Sequence, residues 1–112
     1  MDVVSTDSKP STEAVEGVHL TLLAGGENAN LQGVTLEPGA TVPEHDHPHE
    51  QLGLVVEGTL TLIVEGEEYD LGPGDTYRLA GGEPHGAANR GDDPVVAYDV
   101  FSPPRDDPDW LE

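Results

Sequence analysis

The 112-residue sequence contains no cysteine, which excludes disulfides and thiolate metal sites and leaves histidine, carboxylate and amide groups as possible metal ligands. Basic residues are nearly as scarce. Lys9 is the one lysine, and four Lys+Arg face 23 Asp+Glu for a formal net charge of -19. A chain so acidic repels nucleic acid and anionic membrane surfaces, so neither is expected as a partner. Its charge is spread along the whole length, as suits a surface bathed in high salt, where the Debye length falls to about 3 Å at 1 M. A halophilic source is therefore expected. Long apolar runs are missing too: no stretch approaches the roughly 18 residues of a membrane helix. The opening MDVVSTDSKPSTEAVE is polar and acidic, unlike a signal or transit peptide, and a cytoplasmic location is expected.

What is present is a modest stock of aliphatic residues in short runs, with 14 Gly and 10 Pro between them. The length gives room for one core. Residues 1–16 have no periodicity and include Lys9-Pro10-Ser11-Thr12, so they read as a flexible N-terminal arm ahead of a single domain over 17–112. In that domain Val18, Leu20 and Leu22 alternate with His19 and Thr21, the pattern of a half-buried strand with His19 on its solvated side. Further strands are expected over 31–36, 51–56, 59–64, 68–71, 76–79 and 95–101. Turns rich in Gly, Pro and Asp separate them, among them Gly72-Pro73-Gly74 and Gly91-Asp92-Asp93-Pro94. No helix is expected beyond a turn near Arg105 to Leu111. Many short strands at this spacing indicate an all-β sandwich or barrel.

Three of the five histidines fall in the segment Pro43-Glu44-His45-Asp46-His47-Pro48-His49-Glu50-Gln51. Residues two apart on an extended chain project to one side, so His45 and His47 can address the same ion. His49 shares that parity, but Pro48 interrupts regular alternation and His49 is ranked behind Gln51 as a ligand. The second half of the site is the stretch from Gly74 to Asn89. Gly39, His45, His47, position 51 and Gly58 meet the first cupin motif, with Gln51 where that motif has Glu. Gly74, Gly82, His85 and Asn89 meet the second, with Ala80 in place of its Pro. Over residues 39–89 the chain thus resembles the cupins. The resemblance implies a double-stranded β-helix, a jelly-roll barrel whose mouth holds one divalent metal ion on His45, His47, Gln51 and His85. Nickel, zinc, iron(II) and manganese all suit such ligands.

An amide at position 51 leaves the ion its full charge, where a carboxylate would remove about one unit. That favours polarising a substrate oxygen over stabilising a high-valent metal. On the last strand Val95, Ala97, Asp99 and Phe101 share one face, which makes Asp99 a candidate acid/base if that face is the barrel interior. The segments HDHPHEQ (45–51) and DVFSPPR (99–105) together resemble the small cupins of pectin and alginate breakdown that linearise 4,5-unsaturated uronates. That resemblance implies that Asp99, Phe101 and Arg105 face a sugar acid, that no net redox change occurs, and that the protein is a homodimer. It also leaves Trp110-Leu111 to dock on the core or on a partner. Two other functions compete: a metal-dependent dioxygenase, and a non-catalytic cupin that binds a sugar or an effector.

Overall fold

Ten strands follow one another in the computed structural model, which describes residues 1–105. They are β1 (Thr12–Val15), β2 (Val18–Gly25), β3 (Asn30–Leu36), β4 (Thr41–His45), β5 (Glu50–Glu57), β6 (Leu60–Val64), β7 (Glu67–Leu71), β8 (Thr76–Leu79), β9 (His85–Ala88) and β10 (Val95–Ser102). A single 3-10 turn at Thr6–Ser8 precedes them. All pairings are antiparallel. They build a six-stranded sheet in the order β1-β2-β3-β10-β5-β8 and a four-stranded sheet in the order β4-β9-β6-β7. The two sheets close on an aliphatic core in which Val18, Leu36, Val55, Leu60 and Val95 are buried, as a chain poor in aromatics requires. Among the described residues no helix is long and apolar enough to cross a membrane.

Seven strands coincide with those read from alternation, with ends shifted by a few residues. The other three, β1, β4 and β9, do not follow from that alternation. β1 lies within the supposed N-terminal arm: Thr12–Val15 pairs with β2, the turn being closed at Gly17 (φ 77°), whose N–H donates to Glu13 Oε2 at 2.8 Å. A domain boundary at residue 17 would therefore split a hairpin. β4 carries Pro43, and β9 reads His-Gly-Ala-Ala, so neither has the β-branched alternation that marks a strand. Gly86 in β9 has a packing reason, since a Cβ there would stand 2.8 Å from the carbonyl oxygen of Val42 on β4. The expected turn near Arg105 to Leu111, and Trp110-Leu111, lie outside the described residues.

Three neighbouring strands invert the usual polarity. On β3, β10 and β5 the inward side chains at one end of the barrel are Asn30, Gln32, Asp99 and Gln51, all buried, whereas Leu31, Leu52 and Leu54 face outward and are exposed. Burying amides and a carboxyl while exposing leucines is costly for folding alone. The inversion marks the end of the barrel where the chemistry lies.

Candidate metal centre

The register across the sheets builds the site. β4 and β9 pair with a shift between Val42 and His45 that sets His45 directly opposite His85. Such irregularities re-aim side chains; here the two rings come to a centroid distance of 4.5 Å. β4 ends at His45, so His47 reaches the cluster from the irregular segment between the strand and the bend at residues 48–49. Its ring lies 5.1 Å from that of His85. From the other sheet, β5 supplies Gln51, which pairs with Phe101 on β10.

Each ring is oriented through one nitrogen. Nδ1 of His45, His47 and His85 lies 2.9, 3.2 and 2.9 Å from the carbonyl oxygens of Pro43, His49 and Glu83. A proton on Nδ1 satisfies these contacts and leaves Nε2 with its lone pair free for a ligand role. The candidate ligand nitrogens of the three residues lie within 4.8 Å of one another, a span that one ion can bridge. Burial, followed by the charge of Arg105, brings the pKa of His47 down to about 4, and burial also lowers that of His85. Both rings are therefore neutral at neutral pH, the form that metal ligation needs.

Gln51 completes the argument that a cation fits. Its Oε1 lies 3.0 Å from His47 Nε2. With the proton of His47 on Nδ1, both of these atoms are acceptors. Turning the Gln51 amide over would remove the N–H that favours the charged form of Asp99. Protonating His47 is opposed by its burial. Two donors bound to one ion at about 2.1 Å each lie about 3 Å apart when adjacent, so a divalent cation resolves the conflict. His49 is not a member of the three-histidine group, although its ring lies 5.4 Å from that of His47. Its ring packs against Phe101 at 6.2 Å and its Nδ1 is buried without a hydrogen-bond partner.

Below the histidines the cavity encloses about 200 Å³ and is largely aliphatic, with His45, His85, Gln51, Asp99, Phe101 and Arg105 in its wall. Asp99 does point into the barrel, and it is 4% exposed. Burial raises its pKa to about 6, against the opposing pull of hydrogen bonds from Tyr77 and Gln51. Phe101 is 1% exposed and meets His47 edge-on at 5.5 Å. The Arg105 guanidinium stands 5.4 Å from the Phe101 ring centroid, and the Arg105 backbone N–H donates to Asn30 Oδ1.

Tyr77 joins the site although no sequence motif marks it. Its hydroxyl donates to Asp99 Oδ1 at 2.5 Å, and burial raises its pKa, so it is a neutral donor. Its ring crosses the face of Gly53, where an added Cβ would lie 2.0 Å from Cζ. A glycine inside a strand often signals such an approach. Gly53→Ala should therefore cost about 1–3 kcal/mol, and in a Tyr77→Ala background most of that cost should disappear. Denaturant melts of the four proteins measure it; an equal cost in both backgrounds would show that the ring is not the obstacle.

A second group, Glu13, His19 and Glu37, lies on the β1–β2 side of the barrel. Two of its members are already engaged with each other, His19 Nε2 lying 2.8 Å from Glu37 Oε2. His19 thus faces solvent and an ion-pair partner, away from the histidine cluster.

Comparison with known proteins agrees with this architecture. The profile described as Cupin domain matches residues 33–101. The chain is 29% identical over 102 residues to the pectin degradation protein KdgF of Dickeya dadantii, covering 90% of this chain and 92% of that one. It is 28% identical over 105 residues to the L-ectoine synthase of Bordetella petrii, covering 92% and 78% respectively. The solved structure of KdgF from Halomonas sp. superimposes with a TM-score of 0.84 at 31% identity, covering 95% of this chain and 98% of that one.

Proposed function

The chain belongs to the cupin family, and from that premise we propose that it is a metal-dependent enzyme that opens a 4,5-unsaturated uronate, or a related sugar acid, to its linear keto form. The observation that carries this reading is that His45, His85 and Gln51 share one cavity wall with the buried carboxyl of Asp99, while His47 completes the donor cluster behind Gln51. Similarity to pectin degradation proteins over nearly the whole chain supports the substrate class.

The reaction is an isomerisation. The anomeric hydroxyl gives up a proton, the bond from C1 to the ring oxygen breaks, and C1 becomes an aldehyde. The electron pair passes to the ring oxygen, leaving an enol that takes a proton at C4 and becomes a ketone. Atoms and electrons balance without a redox partner. When bound, a divalent ion supplies Lewis-acid polarisation of a substrate oxygen.

The protein's own groups do the rest. Tyr77 holds Asp99 through Oδ1, and the carboxyl, with Gln51 beside it, holds or moves the proton at a pKa of about 6 that suits transfer in either direction near neutrality. Arg105 takes the substrate carboxylate in a two-pronged contact, and Phe101 fixes the neighbouring histidines while lining the cavity. Metal-loaded protein incubated with unsaturated galacturonate should remove the ultraviolet absorbance of the ring double bond and yield a keto product visible by NMR. Decay no faster than in buffer would sink the reading.

The same reading includes a homodimer. The exposed row Leu52, Leu54 and Val56 on the outer face of β5 supplies the apolar surface that self-association uses. Light scattering should give twice the 11.8 kDa chain mass, falling to the monomer value in Leu54→Lys; a wild-type monomer would refute it.

A further inference from the structure

Gln32 has no role in the chemistry described so far, yet its position is unusual. It is 4% exposed, it lies in the cavity wall, and its Oε1 is buried without a hydrogen-bond partner. An unpaired buried amide is costly, and native proteins keep few of them. Selection for folding alone would replace it with leucine, a residue that already lines this cavity.

Its register gives the reason. Gln32 on β3 pairs directly with Asp99 on β10, which pairs on its other side with Gly53 on β5, which pairs with Tyr77 on β8. Paired residues share a face, so Gln32, Asp99 and Tyr77 form one polar row across the barrel floor, with Asp99 in the middle. Tyr77 is committed to Asp99 Oδ1. Gln32 flanks Asp99 on the opposite side and its amide oxygen has no partner. The Gln51 and Phe101 pair beside the histidines lies two residues along β10 from this row, about 7 Å away. A ligand gripped at the histidine end and as long as a sugar ring extends to the row.

We propose that Gln32 is a specificity-determining residue, whose amide hydrogen-bonds a ring hydroxyl of the bound sugar acid beside Asp99. The inference rests on the reading of the cavity as a sugar-acid site, but not on the reaction assigned to it. An amide oxygen in need of a donor selects a hydroxyl-bearing ligand over one that lacks the hydroxyl, because the latter leaves the amide unpaired in the complex. This accounts for the burial of Gln32 and for its missing protein partner together.

The test uses two unreactive probes on metal-loaded protein: galacturonate, and tetrahydropyran-2-carboxylate, which keeps the ring and carboxylate without the hydroxyls. Calorimetry is expected to show wild type binding galacturonate at least about tenfold more tightly than the bare ring acid, and Gln32→Leu losing most of that preference with little change toward the bare acid. Thermal melts of the unliganded proteins should show Gln32→Leu at least as stable as wild type, with a rise on the order of 4 °C, since an orphaned polar group is removed. Equal galacturonate affinity in wild type and variant would overturn the proposal, as would failure of wild type to prefer galacturonate. A lowered melting temperature with unchanged affinities would assign Gln32 a structural, water-satisfied role and overturn it equally. If wild type shows the preference and Gln32→Leu loses it while unsaturated galacturonate is not turned over, Gln32 stands and the reaction assigned above falls.

Discussion

Substituting alanine for His85 is expected to reduce bound divalent metal from about one ion per chain to below about a tenth, and to lower turnover by more than about 10³-fold. His85 is buried, faces His45 across the β4–β9 pair, and has its Nδ1 fixed by the carbonyl of Glu83. The two remaining histidines are outside the group: His49 packs between His47 and Phe101, and His19 sits with Glu37. The substitution should leave the fold intact, because β9 keeps its backbone pairing with both β4 and β6. Elemental analysis beside a thermal melt checks both halves. Full metal content in a folded His85→Ala protein would remove His85 from the site.

Asp99→Asn should separate chemistry from binding. The amide has nearly the shape of the carboxyl and can still accept from Tyr77, but it cannot carry the proton. Turnover should fall by about 10²–10⁴-fold with metal content and galacturonate affinity retained. A fall in metal content matching the fall in turnover would instead make Asp99 a support for Gln51. Stability should move the other way. The folded-state pKa of Asp99, about 6, lies above the unfolded value of 3.8, so the folded protein binds more protons between these values and loses stability as pH rises through that window. The penalty is absent below the unfolded pKa and fully present above the folded one, on the order of 2–3 kcal/mol. Metal-free Asp99→Asn should therefore be more stable than metal-free wild type at pH 8 and lose that advantage by pH 4. Parallel melting curves at the two pH values would contradict the assignment.

Both effects concern residues that the sequence makes visible, and the reason is chemical. Histidine at motif spacing, and a lone Asp on an otherwise apolar strand face, are conspicuous in a chain with five histidines and no cysteine. The barrel itself was legible wherever Val and Leu alternate with polar residues, as in β2 and β10. It was illegible in β4 and β9, where a proline and a His-Gly-Ala-Ala run carry ligands at the expense of strand propensity. Tyr77 and Gln32 were hidden for a different reason. Their significance lies in cross-strand register with Asp99, which no local pattern encodes. Gln32 was further masked by Leu31, since the usual rule would turn the leucine inward, and here the leucine is exposed. The contest between Gln51 and His49 likewise depends on the irregular segment after β4, which turns His47 into the cluster and His49 onto Phe101.

That contest is settled most directly by X-ray absorption spectroscopy of the wild-type protein loaded with one equivalent of nickel(II) or zinc(II). The site described here predicts three imidazoles in the metal's shell, with the remaining donors oxygen, and an unchanged imidazole count in His49→Ala. Four imidazoles, falling to three in that variant, would contradict it, as would failure to retain one ion per chain.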